Sequence, residues 1–224
     1  MKEAGKLSSH KVYSTNMIIT YYGKQSFRVS FGDTVLSFDP VSKESKQKEI
    51  RFGADITLVS VNHPDLNGVS QNSHGEKEPF VVSGPGEYEV KEVFIKGFSS
   101  ISHYDNGEYI NTIYLIELEG MKMCFLGAID TIDLPDAVQE ELDEIDILFI
   151  PVGSKGVLSS SEAAKLSARI EPRIVIPMVH DDKMLKKFID ESGNGSSSPL
   201  DKLTIKKKDL VGKEGEVVIL KPQK

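Results

Sequence analysis

Ser60-Val61-Asn62-His63-Pro64-Asp65-Leu66-Asn67-Gly68 is the stretch that decides how this chain folds. It closes a nearly continuous apolar run over residues 56–61, the pattern of a strand buried on both faces. An imidazole and a carboxylate, His63 and Asp65, follow the strand, and then Gly68. These side chains ligate metals or move protons, and a loop after a buried strand is where sites are built. Val61 and Leu66 flank them and have no lone pair to offer a metal.

Before this loop, strands are predicted over 17–22, 26–31 and 34–38. Gly23-Lys24-Gln25 and Gly32-Asp33 join them as hairpin turns. Asp39-Pro40 ends the third strand, and 42–48 is a polar, exposed loop. After the loop come strands over 80–82, 90–98, 112–118 and 121–126, with turns at Gly84-Pro85-Gly86 and Glu119-Gly120. The second half alternates. Helices are expected over 135–142, from Ser160 or Ser161 to 170, and over 183–189. Strands are expected over 147–150, 174–176, 203–205 and 217–220, and 193–198 reads as a flexible Gly/Ser linker. No repeat of fixed period is visible. Two β-rich stretches mixed with helices predict an α/β fold of two sheets between helical layers. We expect one domain over 17–224 behind a flexible extension at 1–16.

Composition narrows the function classes. The 224 residues are 39% hydrophobic and 27% charged, as in a soluble globular protein. With 27 basic against 34 acidic residues the net charge is −7, which argues against a dominant nucleic-acid surface. The triplet Lys206-Lys207-Lys208 reads as a solvated face. No apolar run reaches the ~18 residues of a membrane span, and the N-terminus lacks a signal-peptide core. One cysteine, Cys124, allows no internal disulfide and reads as a core residue, which suits the cytoplasm.

Polar or irregular residues mark several strand ends: Asp39, the His63 loop, Gly127-Ala128, Pro151-Val152-Gly153, and Pro177 onward to His180. Loops at such ends converge on one cleft, which we expect Asp39, Ala128 and Val179 to line. Ser154-Lys155-Gly156 is read as an exposed loop rather than an anion site, and His10 and His74 as loop residues.

The landmarks are Tyr22-Gly23-Lys24-Gln25-Ser26-Phe27, Phe38-Asp39-Pro40, the His63 loop and Ser83-Gly84-Pro85-Gly86-Glu87-Tyr88-Glu89-Val90. Asn111-Thr112-Ile113-Tyr114, Phe125-Leu126-Gly127, Ile150-Pro151-Val152-Gly153 and Ile174-Val175-Ile176-Pro177-Met178 complete them. In this order and spacing the chain resembles the metallo-β-lactamase superfamily. The branch is the one similar to ascorbate-6-phosphate lactonase and related Zn-dependent hydrolases, and the likeness runs over about 17–220. The resemblance implies a four-layer αββα sandwich with a metal site at the edge between two mixed sheets.

Active relatives hold two zinc ions that share a hydroxide. The resemblance places the loop against the pattern Thr-His-x-His-x-Asp-His-x-Gly, with His63, Asp65 and Gly68 in register. His103, in Ser102-His103-Tyr104-Asp105, matches a later ligand. Val61, Leu66, Ala128 and Val179 stand where relatives carry His, His, the bridging Asp and the last His, so four of the seven positions are aliphatic. His180 and Asp130 are off-register substitutes. A one-residue shift in extended backbone turns a side chain to the other face, which counts against His180.

The expectation is a degenerate site. His63, Asp65 and His103 are either a single-metal remnant, for zinc or manganese, or a hydrogen-bonded polar cluster that needs no metal; we favour the cluster. An acid–base pair of His63 with Asp65 lacks a nucleophile beside it. The favoured function is a pseudoenzyme that binds a small molecule or a protein, with no cofactor. The alternative is a metal-dependent hydrolase of an ester, lactone or phosphoester. A homo-oligomer in which a second chain completes the site is the third reading. No membrane or nucleic-acid partner is expected.

Overall fold

A computed structural model describes residues 16–153, 156–193 and 198–223. Most of the predicted extension, the pair Ser154-Lys155, most of the Gly/Ser linker, and His10 lie outside the described residues.

The first three strands are β1 (Met17–Gly23), β2 (Ser26–Phe31) and β3 (Thr34–Phe38), joined by tight turns as expected. Then come β4 (Ile56–Leu58), β5 (Phe80–Val82), β6 (Gly86–Val90), β7 (Val93–Ser102), β8 (Tyr109–Leu118) and β9 (Met121–Phe125). The second half holds α1 (Asp136–Gln139), β10 (Ile147–Pro151), α2 (Ser160–Ile170), β11 (Ile174–Met178), α3 (Asp182–Ser192), β12 (Leu203–Ile205) and β13 (Glu216–Val217). Among the described residues they form a six-stranded sheet, β12-β1-β2-β3-β4-β5, and a seven-stranded sheet, β13-β11-β10-β9-β8-β7-β6. Both are mixed: hairpins pair antiparallel, while β3-β4-β5 and β9-β10-β11-β13 run parallel.

Burial follows from the pleat. Alternate residues of each strand face the space between the sheets. Phe27 and Phe38 of one sheet meet Phe149 and Phe125 of the other, with ring centroids 4.9 Å apart in each pair. A second apolar layer lies on the outer face of the seven-stranded sheet. There Leu148, Ile150 and Val175 pack under Ala163, Leu166 and Ile170 of α2 and Phe188 of α3. Ser159, rather than Ser160 or Ser161, caps α2. Its side chain accepts from the Glu162 N–H while Glu162 reaches back to the Ser159 N–H.

The outer face of the six-stranded sheet carries a thinner cover. The segment that carries the 3₁₀ turn Val69–Gln71 contributes to it. Phe52 stacks on Tyr22 at 5.2 Å, and the Thr57 hydroxyl donates to Asn72 at 3.1 Å.

Four local expectations are corrected. β4 stops at Leu58, because Val61 forms an isolated bridge to Asn111 of β8 and so leaves its own sheet. Helix α1 is four residues long, as a turn with Glu144 at φ +56° follows it. Gly86, read as the last residue of a turn, opens an edge strand in which Glu87 and Glu89 face solvent. Lys207 is not merely a solvated lysine: its ammonium meets the buried Asp146 carboxylate at 2.5 Å.

Candidate functional site

The 60–68 loop is fixed by its backbone. The Gly68 N–H donates to the Pro40 carbonyl at 2.7 Å, and the Ser42 N–H to the Pro64 carbonyl at 2.9 Å. A Cβ on Gly68 would lie 2.3 Å from the Val41 carbonyl carbon, so only glycine fits there. Asp39 secures the loop's start. Its carboxyl accepts from the Ser60 N–H and the Ser60 hydroxyl, both at 2.6 Å. Asp39 is fully buried, and burial pushes its pKa up to about 8. It is a staple beneath the site and not the cleft-lining residue expected.

The other rim is β8 and the end of β9. Asn111 donates to the Leu126 carbonyl at 3.1 Å and accepts from the Ala128 N–H at 2.8 Å. Gly127, at φ +63°, has room only for hydrogen: a Cβ would sit 2.3 Å from Asn111 Oδ1. Ala128 is therefore held in place by Asn111, and its methyl is buried.

A cavity of about 580 Å³ opens over this loop. His63, Asp65, Tyr104, Asp105 and Lys24 line it, together with residues 44–47. The Asp65 N–H donates to His63 Nδ1 at 3.1 Å, and His63 Nε2 faces Asp105 at 3.8 Å. The His63 ring lies edge-on to Tyr104 and Tyr109 at 5.1 and 5.7 Å. The Tyr104 hydroxyl donates to Asp65 Oδ2 at 3.1 Å, and the Ser45 hydroxyl donates to Asp65 Oδ1. Burial first, then the Asp65 charge, holds the Tyr104 phenol above its ordinary pKa.

His103 and Asp130 form a separate pair at 2.5 Å through Nδ1, with Glu108 3.8 Å from Nε2. The His103 side chain is 56% exposed and does not line the His63 cavity. His180 and Val179 belong to a neighbouring cavity. The structure thus joins His63 with Asp65 and His103 with Asp130, and places His180 apart from both. Among the described residues no three His, Cys, Asp or Glu gather as a metal-binding group.

The donor set does not fit the dinuclear centre. Val61, Leu66, Ala128 and Val179 are 1%, 0%, 0% and 6% exposed, and all four belong to the core between the sheets. Packed hydrocarbon therefore occupies the four positions that the resemblance sets against metal ligands. The tautomers divide the two imidazoles as well. His63 Nδ1 accepts an N–H, so in the neutral ring Nε2 carries the proton and has no lone pair. His103 is the opposite: in the neutral ring that donates Nδ1–H to Asp130, Nε2 keeps its lone pair, as in a carboxylate–imidazole metal ligand, with the Glu108 carboxylate 3.8 Å away. Asp65 is committed to two hydroxyls.

Sequence reasoning missed Ser45, Tyr104, Asp105 and Tyr109. Tyr104 and Asp105 adjoin His103 in sequence, which was the available signal. Ser45 lies in a polar loop, and nothing in the sequence marks it as a partner of Asp65.

Comparison with known proteins agrees with this architecture. The beta-lactamase superfamily domain matches residues 18–179. A protein of Thermococcus onnurineus named UPF0173 metal-dependent hydrolase is 29% identical over 194 residues, 85% of this chain and 75% of the relative. A namesake from Natranaerobius thermophilus is 22% identical over 211 residues, 80% of this chain and 93% of the relative. A Thermotoga maritima structure described as a Zn-dependent hydrolase of the metallo-beta-lactamase superfamily is also similar. It superposes with a TM-score of 0.67 at 26% identity, covering 91% of this chain and 98% of that one.

Proposed function

We propose a function for this chain from one established premise: it belongs to the beta-lactamase superfamily, whose domain spans residues 18–179. Its relatives are named metal-dependent hydrolases. The reading we draw is a pseudoenzyme, a member of the family that has given up dinuclear hydrolysis and uses the cleft to bind a small molecule or a protein. The observation that carries it is the burial of Val61, Leu66, Ala128 and Val179 in the core between the sheets. Two zinc ions need donors at those positions, and hydrocarbon offers none. The His63 cavity supports binding: at about 580 Å³ it is large enough for a small molecule.

The second reading is a hydrolase of an ester, lactone or phosphoester with one divalent metal, zinc or manganese, on His63, Asp65 and His103. The His103–Asp130 pair favours it. It requires His63 to change tautomer, Asp65 to leave Ser45 and Tyr104, and His103 to move toward the His63 cavity, whose lining does not include it. We place the protein in the cytoplasm, on its one buried cysteine; no helix among the described residues is long and apolar enough to cross a membrane.

Hydrolysis assays separate the two readings. Chelator-treated protein given zinc or manganese should leave ester, lactone and phosphoester substrates intact. Turnover that appears with metal and disappears in His63→Ala and His103→Ala would sink the binding reading.

A further inference from the structure

Beside the His63 cavity lies a second one of about 370 Å³, within the range of small-molecule sites. The two share Lys24 and Gln47 as a common wall. Their linings differ in sign. The His63 cavity sets three carboxylates, Glu44, Asp65 and Asp105, against two lysines, Lys24 and Lys46. The second contains Lys24, Lys48 and His180 and, among the described residues, no acidic lining residue; the nearest carboxylates along the chain are Asp181 and Asp182, just past His180. In a chain of net charge −7, a wall with lysines and no carboxylate is a local reversal of the overall field.

The lysines are not spoken for. Neither Lys24 nor Lys48 has a carboxylate within ion-pair distance among the described residues, whereas Lys77, Lys91, Lys96 and Lys207 all do. His180 adds a second, independent sign. Its Nε2 is buried without a hydrogen-bond partner among the described residues. Burial lowers the pKa of this ring against the raising effect of Asp182 and Asp181. A buried polar atom without a partner is costly, and in native proteins it commonly marks a missing water or ligand. Tyr21, Val41 and Ile50 give the chamber an apolar wall, and Gln47 and Gln223 add neutral polar groups.

We propose that this chamber binds a small organic anion, its carboxylate or phosphate at Lys24 and Lys48 and its apolar body against Tyr21, Val41 and Ile50. Charge and shape divide the work: the lysines attract the anion, and the apolar wall selects against a bare inorganic ion. The site stands on residues that the metal-ligand positions do not use, apart from Val179 and His180 on its edge. It holds whether or not the chain hydrolyses anything.

Titration calorimetry of the full chain tests it, with phenyl phosphate, benzoate, inorganic phosphate and benzylamine as probes. At least one aromatic anion should bind saturably and weaken as salt is raised. Which of the two binds tighter identifies the head group. Inorganic phosphate should bind more weakly than that anion, and benzylamine should not bind. The double variant Lys24→Gln/Lys48→Gln should weaken the aromatic anion about tenfold or more, as loss of charge-assisted contacts requires. Lys48→Gln alone, on an exposed loop residue, should weaken it in the same direction. Asp105→Asn, in the other cavity only, should leave the affinity unchanged. No saturation by either aromatic anion would overturn the proposal. So would equal binding of inorganic phosphate, or affinity that follows Asp105→Asn and ignores the lysines.

Discussion

The Tyr104 hydroxyl donates to Asp65 Oδ2 at 3.1 Å, so the carboxylate that the resemblance sets against a metal ligand is engaged by a phenol. Ser45 holds the other oxygen from across the cavity. Tyr104→Phe removes one of these bonds and leaves Asp65 half-satisfied. The expected loss is about 1–3 kcal/mol in urea unfolding, since hydrogen bonds to charged groups exceed neutral ones. The same variant removes a late-titrating phenol. Tyr104 has a raised pKa, as do Tyr21 and Tyr114, by burial above all. A raised folded value means that the stabilising contribution is complete below the ordinary phenol pKa and is lost as pH rises through the folded one. Absorbance titration should show these three phenols ionising only as the chain unfolds, and two of them in Tyr104→Phe.

Asp39 gives a second pH dependence, in a milder range. Its folded pKa of about 8 lies above the ordinary 3.8. The stabilising contribution is therefore whole below about pH 4 and declines progressively up to about pH 8. Asp39→Asn keeps an acceptor for the Ser60 N–H and removes the titration. Urea midpoints measured between pH 4 and pH 8 should fall with rising pH in the parent chain and fall less in the variant. Equal slopes would show that Asp39 is not the group responsible.

Leu66 separates a packed core from a vacated ligand position. It is fully buried within the core between the sheets. Leu66→Ala should cost about 2–5 kcal/mol, the usual range for a buried leucine. Leu66→His should also destabilise, because the imidazole is desolvated without an assigned partner. A Leu66→His chain as stable as its parent would mean that the position still accommodates a ligand.

Much of this was legible in the sequence, for reasons that differ by element. The strands β1 to β3 announced themselves through short apolar runs cut by Gly23-Lys24 and Gly32-Asp33. The edge strand at Gly86 was hidden because its exposed Glu87 and Glu89 and the preceding Gly84-Pro85 carry turn chemistry. β12 and β13 were visible as strands, but not that Ile205 pairs with Met17 in one sheet and Val217 with Val175 in the other. Such pairings join distant parts of the chain and leave no local signature. At the site, His63, Asp65 and His103 could be singled out by side-chain type, but not that His103 lies apart from the other two. Their partners could not, since Ser45, Tyr104 and Asp130 reach them only through the fold. The backbone at Val179 was equally unreadable. A β-branched residue at φ +62° is rare, and its N–H is held by the Lys24 carbonyl at 3.0 Å.

The most direct measurement is the metal content of full-length protein purified without chelator or added metal, by inductively coupled plasma mass spectrometry. With Val61, Leu66, Ala128 and Val179 packed as core and His63 Nδ1 accepting an N–H, we predict zinc, manganese and iron all far below one equivalent per chain. Near-stoichiometric metal that is lost in His63→Ala/His103→Ala would contradict the account.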